Sequence, residues 1–144
     1  MKRLVLIIFF ITGPFLQAQN WQTNFEEAKS IAIKEDKNIV LVFSGSDWCA
    51  PCMKLEKNIW MSDEFKAEIN KSWVTYKADF PKKKANQLTP ELTEQNKNLA
   101  EKYNKGGSFP LVVLLDKNGK VLGMTGFKNV SPAEYIAMIK KFEK

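Results

Sequence analysis

A chain of 144 residues, 44% hydrophobic and 12% aromatic, suits one globular domain around one core and leaves no room for a second. With no histidine and only two cysteines it cannot close a four-ligand zinc site by itself, and its scattered methionines make a poor copper site. The formal charge of +6 falls to +4 once Lys2 and Arg3 are set aside; the remaining lysines are dispersed apart from Lys82-Lys83-Lys84, with no interleaved aromatics, so nucleic acid is not an expected partner.

The chain opens with Lys2-Arg3, an apolar run from Leu4 to Ile11, the helix-breaking Gly13-Pro14 and the small Ala18. This order reads as a secretory signal peptide over 1–18, with the mature domain at 19–144. The apolar run is too short for a bilayer that needs about 20 residues, so no stable membrane anchor is expected after cleavage, and a periplasmic or secreted location follows. Thr23 or Asn24 then caps a helix that keeps Phe25, Ala28, Ile31 and Ala32 on one side and Glu26, Glu27, Lys29 and Lys34 on the other.

Ile39 to Phe43 is unbroken and apolar, as a buried strand would be, and Ser44-Gly45-Ser46-Asp47 turns the chain. Trp48-Cys49-Ala50-Pro51-Cys52 follows, with Leu55 and Ile59 at helical spacing, so the first cysteine sits at a helix start. Unpaired N–H groups and the positive end of the helix dipole stabilise a thiolate there, which makes Cys49 the acidic, nucleophilic member. Cys52, one turn further in, is expected to be more buried and protonated, and to resolve the mixed disulfide formed on Cys49. Pro51 stiffens the first turn, where its missing N–H costs little. A static structural disulfide is the plain alternative, but so small a loop gains little from closure.

Ser62-Asp63-Glu64 begins another helix with Phe65 and Ile69 inward, and Trp73 to Asp79 reads as a second strand. The two strands and their helix form a βαβ unit, hence parallel and right-handed. Phe80 to Leu88, with Pro81 and the lysine run, reads as a solvated loop. Thr89-Pro90-Glu91 starts a helix whose apolar stripe is Leu92, Leu99 and Tyr103, and Gly106-Gly107 stops it. Leu111 to Leu115 and Lys120 to Met124 flank Asp116-Lys117-Asn118-Gly119, whose Asn-Gly is a strong hairpin signal. Ser131-Pro132-Ala133-Glu134 is a capping box ahead of Tyr135, Ile136, Met138, Ile139 and Phe142. The order predicts a mixed sheet with helices on both faces.

The Trp-Cys-Ala-Pro-Cys motif after a hydrophobic strand, Phe109-Pro110 before the hairpin and the final amphipathic helix resemble the thioredoxin superfamily over nearly the whole mature chain. Ser46 to Lys57 is also similar to the C-terminal thioredoxin-like domain of the bacterial transmembrane disulfide reductase. The resemblance implies a three-layer α/β/α sandwich with a mixed sheet of four to five strands. It implies that Pro110 is cis and lies against the cysteines, that Phe109 offers its backbone to a substrate chain, and that Trp48, Pro51, Phe109 and Gly126 rim a shallow groove beside Cys49. Many relatives place a buried aspartate where this chain has Phe43, six residues before Cys49. Reductase-like domains carry a glutamate matching Glu56, which becomes the candidate proton acceptor for Cys52 if it is buried near the sulfurs, or else a surface carboxylate paired with a lysine.

These readings converge on an exported thiol:disulfide oxidoreductase, a monomer without cofactor, reducing or shuffling disulfides in protein substrates and drawing electrons from a membrane-embedded thiol reductase. No glycine-rich phosphate loop supports a nicotinamide site. The alternatives are a disulfide donor, or a non-catalytic module that uses the fold to bind a partner.

Overall fold

A computed structural model describes residues 21–144, so the expected signal peptide lies outside the described residues. Asn24 caps α1 (Phe25–Glu35), its side chain accepting from the Glu27 N–H. Asp36, in the left-handed region, ends that helix and lets β1 (Asn38–Ser44) enter the sheet. α2 (Ala50–Leu55) continues without a break into a π-helical turn, Glu56–Trp60. Ser62 caps α3 (Asp63–Ser72), which runs straight into β2 (Trp73–Asp79). Thr89 caps α4 (Pro90–Tyr103), and β3 (Leu111–Leu115) and β4 (Val121–Thr125) form the hairpin before α5 (Pro132–Lys140), whose capping box is complete.

The sheet order is β2-β1-β3-β4, with β1 parallel to β2 and antiparallel to β3. Strand β1 lies inside the sheet, and alternate residues feed two cores. Ile39, Leu41 and Phe43 pack with Phe25, Ala28 and Ala32 of α1 and with Leu99 and Tyr103 of α4. Val40 and Val42 pack with Leu55, Ile59 and Trp60, with Phe65 and Ile69 of α3, and with Tyr135, Ile136 and Ile139 of α5. A strand covered on both faces has no use for polar residues, which is why β1 reads as a continuous apolar run. The layers are the expected α/β/α sandwich, with four strands plus an isolated bridge from Trp21 to Thr75 beside the β2 edge. No helix among the described residues is long and apolar enough to cross a membrane.

Three local features depart from the sequence reading. The hairpin forms as expected, but of its Asn-Gly pair only Gly119 has positive φ (86°). Asp116 C=O accepts from the Gly119 N–H at 2.9 Å, and the Lys120 C=O from the Asp116 N–H at 2.9 Å, a type I turn closed by a left-handed glycine. Lys120 is used in that closure, so β4 starts one residue late. The helix after the cysteines loosens at Glu56, whose C=O accepts from the Met61 N–H at 3.0 Å, and this wider turn brings Trp60 into the core beside Ile59. On α4 the stripe includes the buried Asn96, which accepts from Tyr76 Oη at 2.6 Å and donates to the Asp79 C=O at 3.1 Å, whereas Leu92 is only half-buried.

Candidate active site

Strand β1 ends at Ser44, and the next residues fold into a tight turn in which the Trp48 and Cys49 N–H groups both donate to the Gly45 C=O, at 3.3 and 2.9 Å. That turn delivers Cys49 as the cap of α2. Its Sγ accepts from the Cys52 N–H at 3.3 Å, so the first sulfur takes the place an N-cap oxygen usually fills, facing the amide donors of the first turn. Such placement favours the thiolate over the thiol. Cys49 and Cys52 are joined in a disulfide with Cα atoms 5.2 Å apart. In this oxidised form the two are equally buried, 5% and 4% exposed, which corrects the expectation that Cys52 is the more deeply buried one.

The Phe109-Pro110 bond is cis, as the resemblance implied. Trp48 is 38% exposed and meets Phe109 edge-to-face at 5.4 Å between ring centroids, and Phe109 meets Phe80 the same way at 5.4 Å. A Cβ on Gly126 would touch the Pro110 C=O at 3.4 Å, and the Gly126 C=O is held by Tyr135 Oη at 2.8 Å. The structure thus gathers Trp48, Phe109, Pro110 and Gly126 in a chain of neighbours, with Pro51 exposed in the first turn of α2. Among the described residues nothing in the chain pairs with the Phe109 backbone N–H or C=O. Phe43 is fully buried in the core.

Glu56 does not lie in a dry pocket. Its side chain is 38% exposed and forms an ion pair with Lys77 of β2, whose Nζ also stands 4.7 Å from the Trp21 ring centroid. Of the two arrangements expected for Glu56, this is the carboxylate paired with a lysine. Its backbone N–H donates to the C=O groups of Cys52 and Met53, which ties the π-helical turn to the cysteine helix.

The 80–88 segment is attached to the site, which sequence reasoning missed. The Asp47 carboxylate accepts from the Lys82 and Lys83 N–H groups, both at 2.9 Å, and from Asn86 Nδ2 at 3.1 Å. The Lys82 N–H first, then those of Lys83 and Asn86 and the charge of Lys83, hold the Asp47 carboxyl below the usual carboxylate range. Trp48 Nε1 donates to the Phe80 C=O at 2.7 Å, and Lys82 Nζ lies 4.2 Å from the centroid of its ring. No local signal connects Asp47 with residues 35 positions away. The available hint was its place directly before Trp48-Cys49, where a side chain has little freedom to be idle.

A family model of thioredoxin-like domains matches residues 25–143. The chain is 33% identical over 129 residues to the disulfide bond reductase DsbH of Chlamydia pneumoniae, covering 90% of this chain and 76% of that protein. It is 26% identical over 123 residues to the thioredoxin-related protein DsbJ of the same organism, of which it spans 34%. A solved DsbH oxidoreductase superposes with a TM-score of 0.79 at 31% identity, over 95% of this chain and 94% of the other. A disulphide isomerase from Xylella fastidiosa, 20% identical with a TM-score of 0.61 over 83% of this chain and 88% of that one, shares the fold. A sandwich of this topology with a cysteine pair capping its second helix is a dithiol redox protein, a thiol:disulfide oxidoreductase. The chain belongs to the thioredoxin-like domain family.

Proposed function

We propose that this protein reduces disulfides in exported proteins, by exchange through Cys49 and Cys52. The observation that carries the reading is the position of Cys49 Sγ at the cap of α2, directly after Trp48, whose ring meets Phe109. In the reduced protein the Cys49 thiolate attacks one sulfur of a substrate disulfide. A Cys49–substrate bond forms, the substrate S–S bond breaks, and the freed sulfur leaves as a thiolate that takes a proton from water. Cys52 then loses its proton and attacks Cys49, releasing the second substrate thiolate and leaving the closed Cys49–Cys52 pair. Two electrons pass to the substrate in the cycle. The Cys52 proton passes to solvent, since Glu56, 38% exposed and paired with Lys77, does not meet the condition set for it as proton acceptor.

Return to the dithiol needs two electrons from another thiol pair, which we assign to a membrane-embedded thiol reductase, because a reductant outside the cytoplasm must be supplied across the membrane. The similarity to a reductase, together with the sequence of residues 1–18, supports this direction and place of action. The test is a Cys52→Ser variant expressed in a host envelope. It should accumulate mixed disulfides through Cys49 that dithiothreitol releases, and Cys49→Ser should accumulate none. The reduction potential of the wild-type pair should fall near about −270 mV; a value near about −120 mV would make the protein a disulfide donor.

A further inference from the structure

We propose that the dithiol face selects disulfides carried in acidic polypeptide segments, with Lys82, Lys83 and Lys84 as the recognising cations. This rests on the exchange reaction above and names the substrate class for it. The three lysines are exposed, yet the backbone that bears them is fixed. Asp47 takes the N–H groups of Lys82 and Lys83 and the amide of Asn86, and Phe80 is bonded to the Trp48 indole. The loop therefore presents its charges at one place, against the residue that precedes the reactive cysteine. Lys54 and Lys57 stand beyond Cys52 on α2 and its π-helical turn, where they line a cleft with Met53 and Phe127.

The carboxylates of this region are already engaged. Asp47 is turned to backbone N–H groups and to the charge of Lys83, Asp79 accepts from the Ser46 N–H at 2.9 Å, and Glu56 is paired with Lys77. Among the described residues, the ion pairs use Lys29, Lys37, Lys77, Lys117 and Lys140, none of them from the loop or from α2. Asp47 and Asp79 keep their charges, but with Glu56 and Lys77 cancelling each other, Lys54, Lys57 and Lys82 to Lys84 leave these segments with a net charge of +3. An extended segment advances about 3.3 Å per residue, so one crossing the Trp48–Phe109 rings would bring acidic side chains a few residues from its cysteine within reach of Lys82. An anionic bilayer would also attract these cations. A polypeptide is the better fit, because Lys82 stands over the Trp48 ring, which meets Phe109 edge-to-face, and aromatic rings beside a cation suit a peptide chain rather than headgroups.

The test compares disulfide-linked peptides of one length whose cysteine is flanked by glutamate, glutamine or lysine. Rates with the reduced protein are divided by those with dithiothreitol to remove intrinsic reactivity. At low ionic strength the glutamate peptide should react about tenfold faster than the lysine peptide, and the ratio should shrink towards unity in about 1 M salt. A Lys82→Glu/Lys83→Glu/Lys84→Glu variant, shown to be folded by circular dichroism, should reverse the order, and the ratio is independent of any change in its basal rate. If the wild-type protein reduces a small neutral disulfide but treats the three peptides alike, the acidic-substrate proposal fails and the exchange reaction stands. If it does not reduce even the small disulfide, both fail. Charge-dependent sedimentation with phosphatidylserine vesicles without peptide discrimination would assign the cations to a membrane and overturn the proposal.

Discussion

Asp47 joins chemistry and fold through a single carboxyl group. Its oxygens replace solvent for two backbone N–H groups and one side-chain amide of the 80–88 loop, and those bonds are strongest while the group is ionised. Because the folded-state value is depressed, the contribution is complete above the ordinary carboxylate value of about 3.9 and is lost as pH falls through the lower folded one. The amide resonances of Lys82 and Lys83 should therefore titrate together with a midpoint below about 3.9, and in Asp47→Asn that step should vanish. A midpoint at or above the ordinary value would mean that the loop is not held by this carboxylate. Neither Asp47 nor the half-exposed Glu56 reveals its partner in the sequence. A carboxylate that bonds across the chain leaves no periodicity, whereas Cys49 and Cys52 are legible because spacing, strand and turn all lie within a dozen residues.

The turn between β1 and α2 sets what the loop can lean on. Trp48 returns over Gly45, so that a Cβ at Gly45 would overlap the indole ring itself. Gly45→Ala should push Trp48 aside, breaking its bond to Phe80 and its contact with Lys82, at a stability cost of roughly 1–3 kcal/mol typical of overpacking. The Trp48 indole N–H resonance should shift and trypsin should cut at Lys82–Lys84 faster than in wild type; an unmoved resonance would show that the ring has room. The elements were legible for a related reason. Caps at Ser62, Thr89 and Ser131 and the inward residues of β1 act locally, so these starts appear in the sequence where the structure puts them, and the structure chooses Asn24 over Thr23 for the first helix. The π-helical turn and the hairpin closure were not legible, because wide and normal helical turns share the spacing of Leu55 and Ile59, and Asn-Gly suits more than one turn.

At the scale of the whole molecule, the α2, α3 and α5 core is sealed by the last turn of chain, Lys141–Glu143. Phe142 lies across β4 at Gly123, a position where no side chain fits beneath the ring. Glu143 accepts from Trp73 Nε1 at 2.6 Å and from Asn38 Nδ2 at 3.4 Å, joining the starts of β1 and β2 to the end of α5. Trp73 is itself 2% exposed, so its indole N–H has little access to water once that carboxylate is gone. Deleting 141–144 removes both contributions. Exposing the phenyl ring and its bed costs about 1.5–3 kcal/mol at full burial, less here because Phe142 is only half-buried, and an indole N–H left dry costs about 1–3 kcal/mol. A loss of roughly 2–4 kcal/mol follows, a large share of the 5–15 kcal/mol typical of such a domain. Urea denaturation with the disulfide closed in both proteins should give a lower midpoint for the shortened chain. Glu143→Gln keeps an acceptor oxygen for Trp73 and should recover most of the hydrogen-bond part, whereas Glu143→Ala should not. Equal midpoints for wild type and the shortened chain would mean that the core is closed without its final turn, and that the Trp73 N–H reaches water by another route.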